Sequence, residues 1–83
     1  MLHVRKLEYR GGHRLWLQFS DGAEGEVDLA ESLAGPVFEP LHDISVFASA
    51  RIDPEIRTVA WPNGADLAPE FLRDLLKSGV AAA

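Results

Sequence analysis

The stretch His13–Ser20, HRLWLQFS, constrains this chain more than any other. Apolar Leu15, Leu17 and Phe19 alternate with Arg14, Trp16, Gln18 and Ser20, and a period of two is the signature of a strand with one buried face. Turn signals bracket it: Gly11-Gly12 before, and Ser20-Asp21-Gly22 after, where Gly22 can take a positive φ. Upstream, residues 3–9 (HVRKLEY) read as a strand in which Val4 and Leu7 break strict alternation, which predicts a bulge or an edge position. Downstream, residues 23–29 (AEGEVDL) return with Val27 and Leu29 inward and Glu24, Glu26 and Asp28 toward water. Three strands joined by short turns make an antiparallel meander.

The rest of the chain adds one irregular segment, one hairpin and one helix. Asp28 is placed to cap a short helix over Leu29–Leu33, ended by Gly35-Pro36. In residues 37–53, Pro40 forbids a regular helix, yet Phe38, Leu41, Ile44 and Phe47 are too apolar to be loose. This segment is expected to pack over one face of the sheet, with Asp43 capping a turn of helix through Phe47. Residues 49–53 and 56–61 read as a final hairpin around Asp53-Pro54, which suit the first two positions of a type I turn. From Pro69 a helix follows, with Phe71, Leu72, Leu75 and Leu76 as its apolar stripe and Arg73, Asp74 and Lys77 outward. Leu67 and Leu72 have the spacing of a hydrophobic staple, Gly79 is a natural stop, and residues 80–83 are expected to fray. The expected fold is α+β: one domain over residues 1–83, an antiparallel sheet of about five strands (the meander plus the later hairpin), and the C-terminal amphipathic helix on one face.

Charge narrows the partners. The net charge is −5, and the distribution is uneven. Residues 1–14 carry Arg5, Lys6, Arg10 and Arg14 against Glu8 alone, whereas residues 15–50 carry seven acids and no base. A basic edge beside an acidic middle favours a basic protein partner, or a second copy docked basic edge to acidic face in a dimer. A phosphate backbone would be repelled, so direct nucleic-acid binding is not expected. Without cysteine there are no disulfides, thiol nucleophiles or cysteine-based zinc sites. Residues 1–6 lack the apolar core of a signal peptide, and no apolar run approaches the ~20 residues of a membrane helix, so a cytoplasmic protein is expected.

Two places invite a functional reading. The corner Trp61-Pro62-Asn63-Gly64-Ala65-Asp66 offers an aromatic wall, an amide and a carboxylate before a helix. Its plain reading is structural: Trp61 fills the core, Pro62 stops pairing, Asn63 and Gly64 supply left-handed conformations, and Asp66 faces the positive helix end. The alternative is a small-ligand or enzyme site built on Trp61, Asn63, Gly64 and Asp66, with His42 as a further candidate. The second place is Trp16, on the face opposite Leu15, Leu17 and Phe19, either open to a partner or covered by the Phe38–Phe47 segment. Trp and Arg are preferred interface anchors, which makes Arg5, Arg14 and Trp16 the candidate interaction residues. The row Glu24, Glu26 and Asp28 runs in a line, whereas a cation needs oxygens wrapped around it. His42-Asp43 with Ser45 lacks a nucleophile elbow, and His3 with His13, near each other across the first hairpin, lacks a third metal ligand. No catalytic residue, metal or cofactor is assigned.

The spacing of FSDG, VDL, VFEPLHD, VF, RID and TVAWPNGADLAPEFL resembles a family of small bacterial proteins, the domain of unknown function numbered twenty-four forty-two. The resemblance runs from Val4 to about Leu76, and Trp61–Leu67 match its WPNGADL signature without a gap. Arg57 departs from it, since many members carry Gly before the Thr. The resemblance implies an α+β domain in a bacterial cytoplasm and no established activity. It also implies relatives encoded beside a small toxin-like protein, and others fused to a DNA-binding helix-turn-helix for which this chain is too short. With the charge pattern, it points to a non-enzymatic protein-interaction or regulatory module, most concretely an antitoxin-like partner of a small basic toxin.

Overall fold

Val4–Tyr9, Arg14–Phe19 and Glu24–Asp28 form strands β1, β2 and β3 of an antiparallel sheet, in that order, in a computed structural model that describes residues 1–77. Cross-strand pairing sets Val4 opposite Phe19, Leu7 opposite Leu17, and Tyr9 opposite Leu15; on the other side Leu15 faces Val27 and Leu17 faces Gly25. Paired residues share a face, so these make one apolar surface, while Lys6, Glu8, Trp16, Gln18, Glu24 and Glu26 lie on the other. The register slips between Val4 and Lys6, placing the expected bulge at Arg5 of an edge strand.

The five expected strands are present but divided between two sheets. Arg51–Ile52 (β4) and Val59–Ala60 (β5) pair with each other alone, and β4 lies beside β1. The connecting turn is held by Asp53, whose Oδ1 accepts from the N–H groups of Glu55 and Ile56 at 2.8 and 3.2 Å. Arg57 closes it at φ 55°, the one non-glycine with positive φ among the described residues. That is where the resemblance calls for glycine, and an L residue is strained there.

The segment before β4 crosses the apolar face, as expected. A 3-10 turn over Glu39–His42 leads into the short helix α1, Ile44–Phe47, and Asp43 caps α1 by accepting from Ser45 N–H at 2.9 Å. Leu41 and Phe47 are fully buried with Leu15, Leu17, Phe19, Val27, Val59 and Trp61. The helix expected over Leu29–Leu33 is instead a single turn, closed by Ser32 N–H on Leu29 C=O at 3.0 Å. Leu29 and Leu33 both point into the core, and Asp28 accepts only from Ala30 N–H, so tertiary burial wins over local propensity.

Helix α2, Pro69–Lys77, starts at the expected proline, with Leu72 N–H bonded to Ala68 C=O. Leu67 and Leu72 are buried, and Leu76 fits over Gly25, where a Cβ would come within 2.8 Å of its Cδ2. Phe71 does not join the stripe: it is 40% exposed. At about 100° per residue it lies off the arc shared by Leu72, Leu75 and Leu76. The stop expected at Gly79 and the tail of residues 80–83 lie outside the described residues. Among the described residues no helix is long and apolar enough to cross a membrane.

Candidate functional site

The Trp61–Asp66 corner is built from backbone hydrogen bonds. Gly64 N–H bonds to Trp61 C=O at 3.0 Å, Trp61 N–H to Ala65 C=O at 2.9 Å, and Gly64 takes φ 91°. This is a type I turn followed by a left-handed residue, the usual three-residue hairpin connection. Asn63 therefore has no left-handed backbone; only Gly64 does. The chain then returns beside β5, through a bridge of Ala60 with Asp66 and a bond from Leu67 N–H to Val59 C=O. The identical connection occurs at Phe19-Ser20-Asp21-Gly22-Ala23, with Gly22 at φ 92°. In both, a buried aromatic precedes the turn, and the Asx side chain accepts from the alanine N–H, at 3.0 Å for Asp21 and 3.1 Å for Asn63.

The corner's polar groups are mostly occupied by the chain itself. Trp61 is 1% exposed and donates its indole N–H to Phe47 C=O at 2.9 Å. Asn63 donates Nδ2 to Val37 C=O at 3.0 Å while its Oδ1 takes Ala65 N–H. Buried Thr58 donates its hydroxyl to Leu67 C=O. Asp66 differs: its exposed carboxylate makes no hydrogen bond or ion pair among the described residues, and it sits two residues short of the Ala68 carbonyl that opens α2.

The histidines are placed otherwise than across the first hairpin. His13 lies next to His42, ring centroids 6.4 Å apart, whereas His3 lies by Ser20 at the far end of β1. His13 Nε2 donates to Leu41 C=O at 2.9 Å and His42 Nε2 to Leu33 C=O at 2.8 Å; a carbonyl only accepts, so each Nε2 carries the proton. The first bond pins the middle segment to the sheet end, and the second ties it to the turn that follows β3. The Ser45 hydroxyl donates to Asp43 at 2.7 Å and, with the Ser45 N–H, holds that carboxyl below the usual range. Among the described residues no three His, Asp or Glu side chains converge as a metal set, and no buried side-chain nitrogen or oxygen lacks a partner.

Trp16 stands on the opposite face from the Phe38–Phe47 segment, which therefore does not cover it. It is half-buried, forming one wall of an open groove of about 450 Å³ between β1 and β4. Leu7, Ala50 and Ile52 supply the apolar lining, and Arg5, Lys6 and Arg51 the cations. Glu8, also at the groove, pairs with Arg10 at 3.5 Å, and the Arg10 guanidinium lies 6.0 Å from the Trp16 ring centroid, at the outer reach of a cation–π contact. Of the three residues singled out, Arg5 and Trp16 share this groove. Arg14 does not line it; it reaches Glu26 across the sheet at 3.9 Å. Lys6 and Arg51 were missed. Lys6 lay in the basic first strand, but nothing local signals that β4 comes to rest beside β1.

Three comparisons place the molecule. A search of curated proteins returns no significant match. The fold is shared with the crystal structure of the Putative DNA Binding Protein of Nitrosomonas europaea ATCC 19718, with TM-score 0.81 and 22% identity over 96% of this chain. This chain spans about half of that one, 52% of its length. A family model described as "Protein of unknown function (DUF2442)" matches residues 4–78, so the chain belongs to the DUF2442 family.

Proposed function

We propose that this domain is a non-enzymatic protein-interaction module that receives its partner on the open sheet face around Trp16. The observation that carries this is the half-buried Trp16 in a groove beside Arg5, Lys6 and Arg51, on the sheet face opposite the one that the described middle segment and α2 cover. An aromatic ring with adjacent guanidinium groups is the composition of interface hot spots. The groups that would serve chemistry are instead engaged in the fold: His13 and His42 on carbonyls, Asn63 at both ends of its amide, Asp43 with Ser45.

The most specific version is an antitoxin-like role. A small basic toxin would meet the exposed acids of β3 and the turn after it, Glu24, Asp28 and Glu31, while the Trp16 face supplies a second contact. The name of the Nitrosomonas protein suggests DNA instead, but only half of that protein corresponds to this chain, and a net charge of −5 opposes a phosphate backbone. Co-expression with the product of the adjacent gene tests the proposal. A co-purifying complex that is lost on Trp16→Ser, with melting temperature unchanged, is the expected result. No complex, or one indifferent to Trp16→Ser, removes it.

A further inference from the structure

We infer that the Trp16 groove takes an acidic, apolar-studded extended segment of a protein partner. This rests on the interaction-module reading and names the chemistry of the ligand. Arg5, Lys6 and Arg51 bring three of the chain's eight basic residues to one groove of a domain that carries thirteen acids. None of the three forms an ion pair within 4 Å among the described residues, although the charge of Arg51 helps keep Asp53 ionised. Glu8, the one acid in the groove, is already paired with Arg10. Three like charges gathered with no ion-pair partner of their own among the described residues repel one another, so carboxylates arriving there relieve repulsion and gain attraction together.

The lining sets the rest of the ligand. Leu7, Ile52 and the Trp16 ring offer apolar surface between the cations, which a ligand made only of charges would leave wetted. An alternation of carboxylates and aliphatic side chains matches both features. Nucleic acid does not, because its phosphates recur at a fixed spacing along the whole strand. Beyond Trp16 a long polyanion would run onto Glu24, Glu26 and Asp28 of the same face. The acidic row thus serves a basic surface, and the groove serves the opposite chemistry.

The test is fluorescence anisotropy with the full chain and a fluorescein-labelled peptide alternating Glu and Leu, against its Lys-for-Glu counterpart and a labelled oligothymidine. Saturable binding of the Glu peptide alone is expected, weakening with added salt. Because Arg5 and Arg51 are exposed, the R5E/R51E variant is expected to stay folded, with a cooperative melt lowered only slightly by the lost attraction of Arg51 for Asp53, and to lose affinity about tenfold or more. Equal binding of both peptides, preference for the oligothymidine, or an R5E/R51E variant that binds as well as wild type would each overturn the inference. So would a wild-type dimer in sedimentation that R5E/R51E converts to monomer, which would assign the groove to a second copy. A Trp16-dependent complex in co-expression that survives R5E/R51E would leave the module reading standing and remove the acidic ligand.

Discussion

Leu76 occupies the space that a side chain on Gly25 would fill: a Cβ there would lie 2.8 Å from its Cδ2. The pairing of Gly25 with Leu17 puts that space on the apolar face, so the missing side chain is what lets α2 settle against β3. Gly25→Val is expected to lower stability by about 1–3 kcal/mol through overpacking, read as a shifted denaturation midpoint. Gly25→Ala is expected to cost less, because the obstructing atom is the far end of a flexible side chain. A Gly25→Val protein as stable as wild type would show that α2 does not rest on this face.

Three aspartates make stability fall in acid. Asp21 is held below the usual carboxylate range by the Ala23 N–H and by Arg73, whose Nε donates to it at 3.0 Å. Asp43 is lowered by the Ser45 hydroxyl and N–H, and Asp53 by the N–H groups of Glu55 and Ile56 and by Arg51. Each is depressed in the folded state, so between the folded and unfolded values the unfolded chain binds more protons and stability rises with pH. The contribution is complete above a pH of about 4 and drains away as pH falls through the lower folded values. Denaturation midpoints measured across that window are expected to drop, and the drop is expected to shrink in an Asp21→Asn/Asp43→Asn/Asp53→Asn protein. An unchanged slope would contradict these assignments.

Arg57 closes the Asp53 turn in the left-handed region, at φ 55°. Its side chain is exposed, so little packing is at stake. Arg57→Gly is expected to raise stability by up to about 1 kcal/mol, the relief of left-handed strain exceeding the added entropy of glycine in the unfolded chain. Thermal melts of the two proteins decide it, and a lower melting temperature would contradict the geometry.

Asn63 bridges two segments, with its Oδ1 on Ala65 N–H and its Nδ2 on Val37 C=O. Asn63→Asp keeps the acceptor and loses the donor, an expected loss of about 0.5–1.5 kcal/mol, and Asn63→Ala about twice that. An Asn63→Asp protein as stable as wild type would show that the bond to Val37 contributes nothing, and equal losses in the two variants would show the same of the bond from Ala65.

Much of this was legible in local pattern. β2 declared itself through Leu15, Leu17 and Phe19, the Asp53-Pro54 turn through its residue types, and α2 through Pro69 and its leucines. These features depend on neighbours a few residues away. What failed depended on distant ones. Leu29–Leu33 has helical propensity but is drawn into the core from both ends. His13 meets His42 because the middle segment folds back onto the sheet end, with Leu41 accepting from the His13 ring. The groove needs β4 beside β1, and no periodicity in either strand encodes that meeting. The shared corner of Phe19–Ala23 and Trp61–Ala65 was visible as aromatic-x-Asx-Gly-Ala in the sequence, though only the hydrogen bonds show that the two are one geometry.

The two tryptophans allow the central claim to be tested in one spectrum. The chain holds only Trp16 and Trp61, so it has two indole N–H resonances, and Trp61's is buried on Phe47 C=O. Heteronuclear NMR of the isotope-labelled chain, titrated with the partner recovered by co-expression, reads both together with the Asn63 side-chain amide. A binding surface on the open face predicts that the Trp16 resonance moves to saturation while Trp61 and Asn63 stay in place. Movement of Trp61 and Asn63 with Trp16 unchanged would place the ligand at the Asp66 corner and contradict the account.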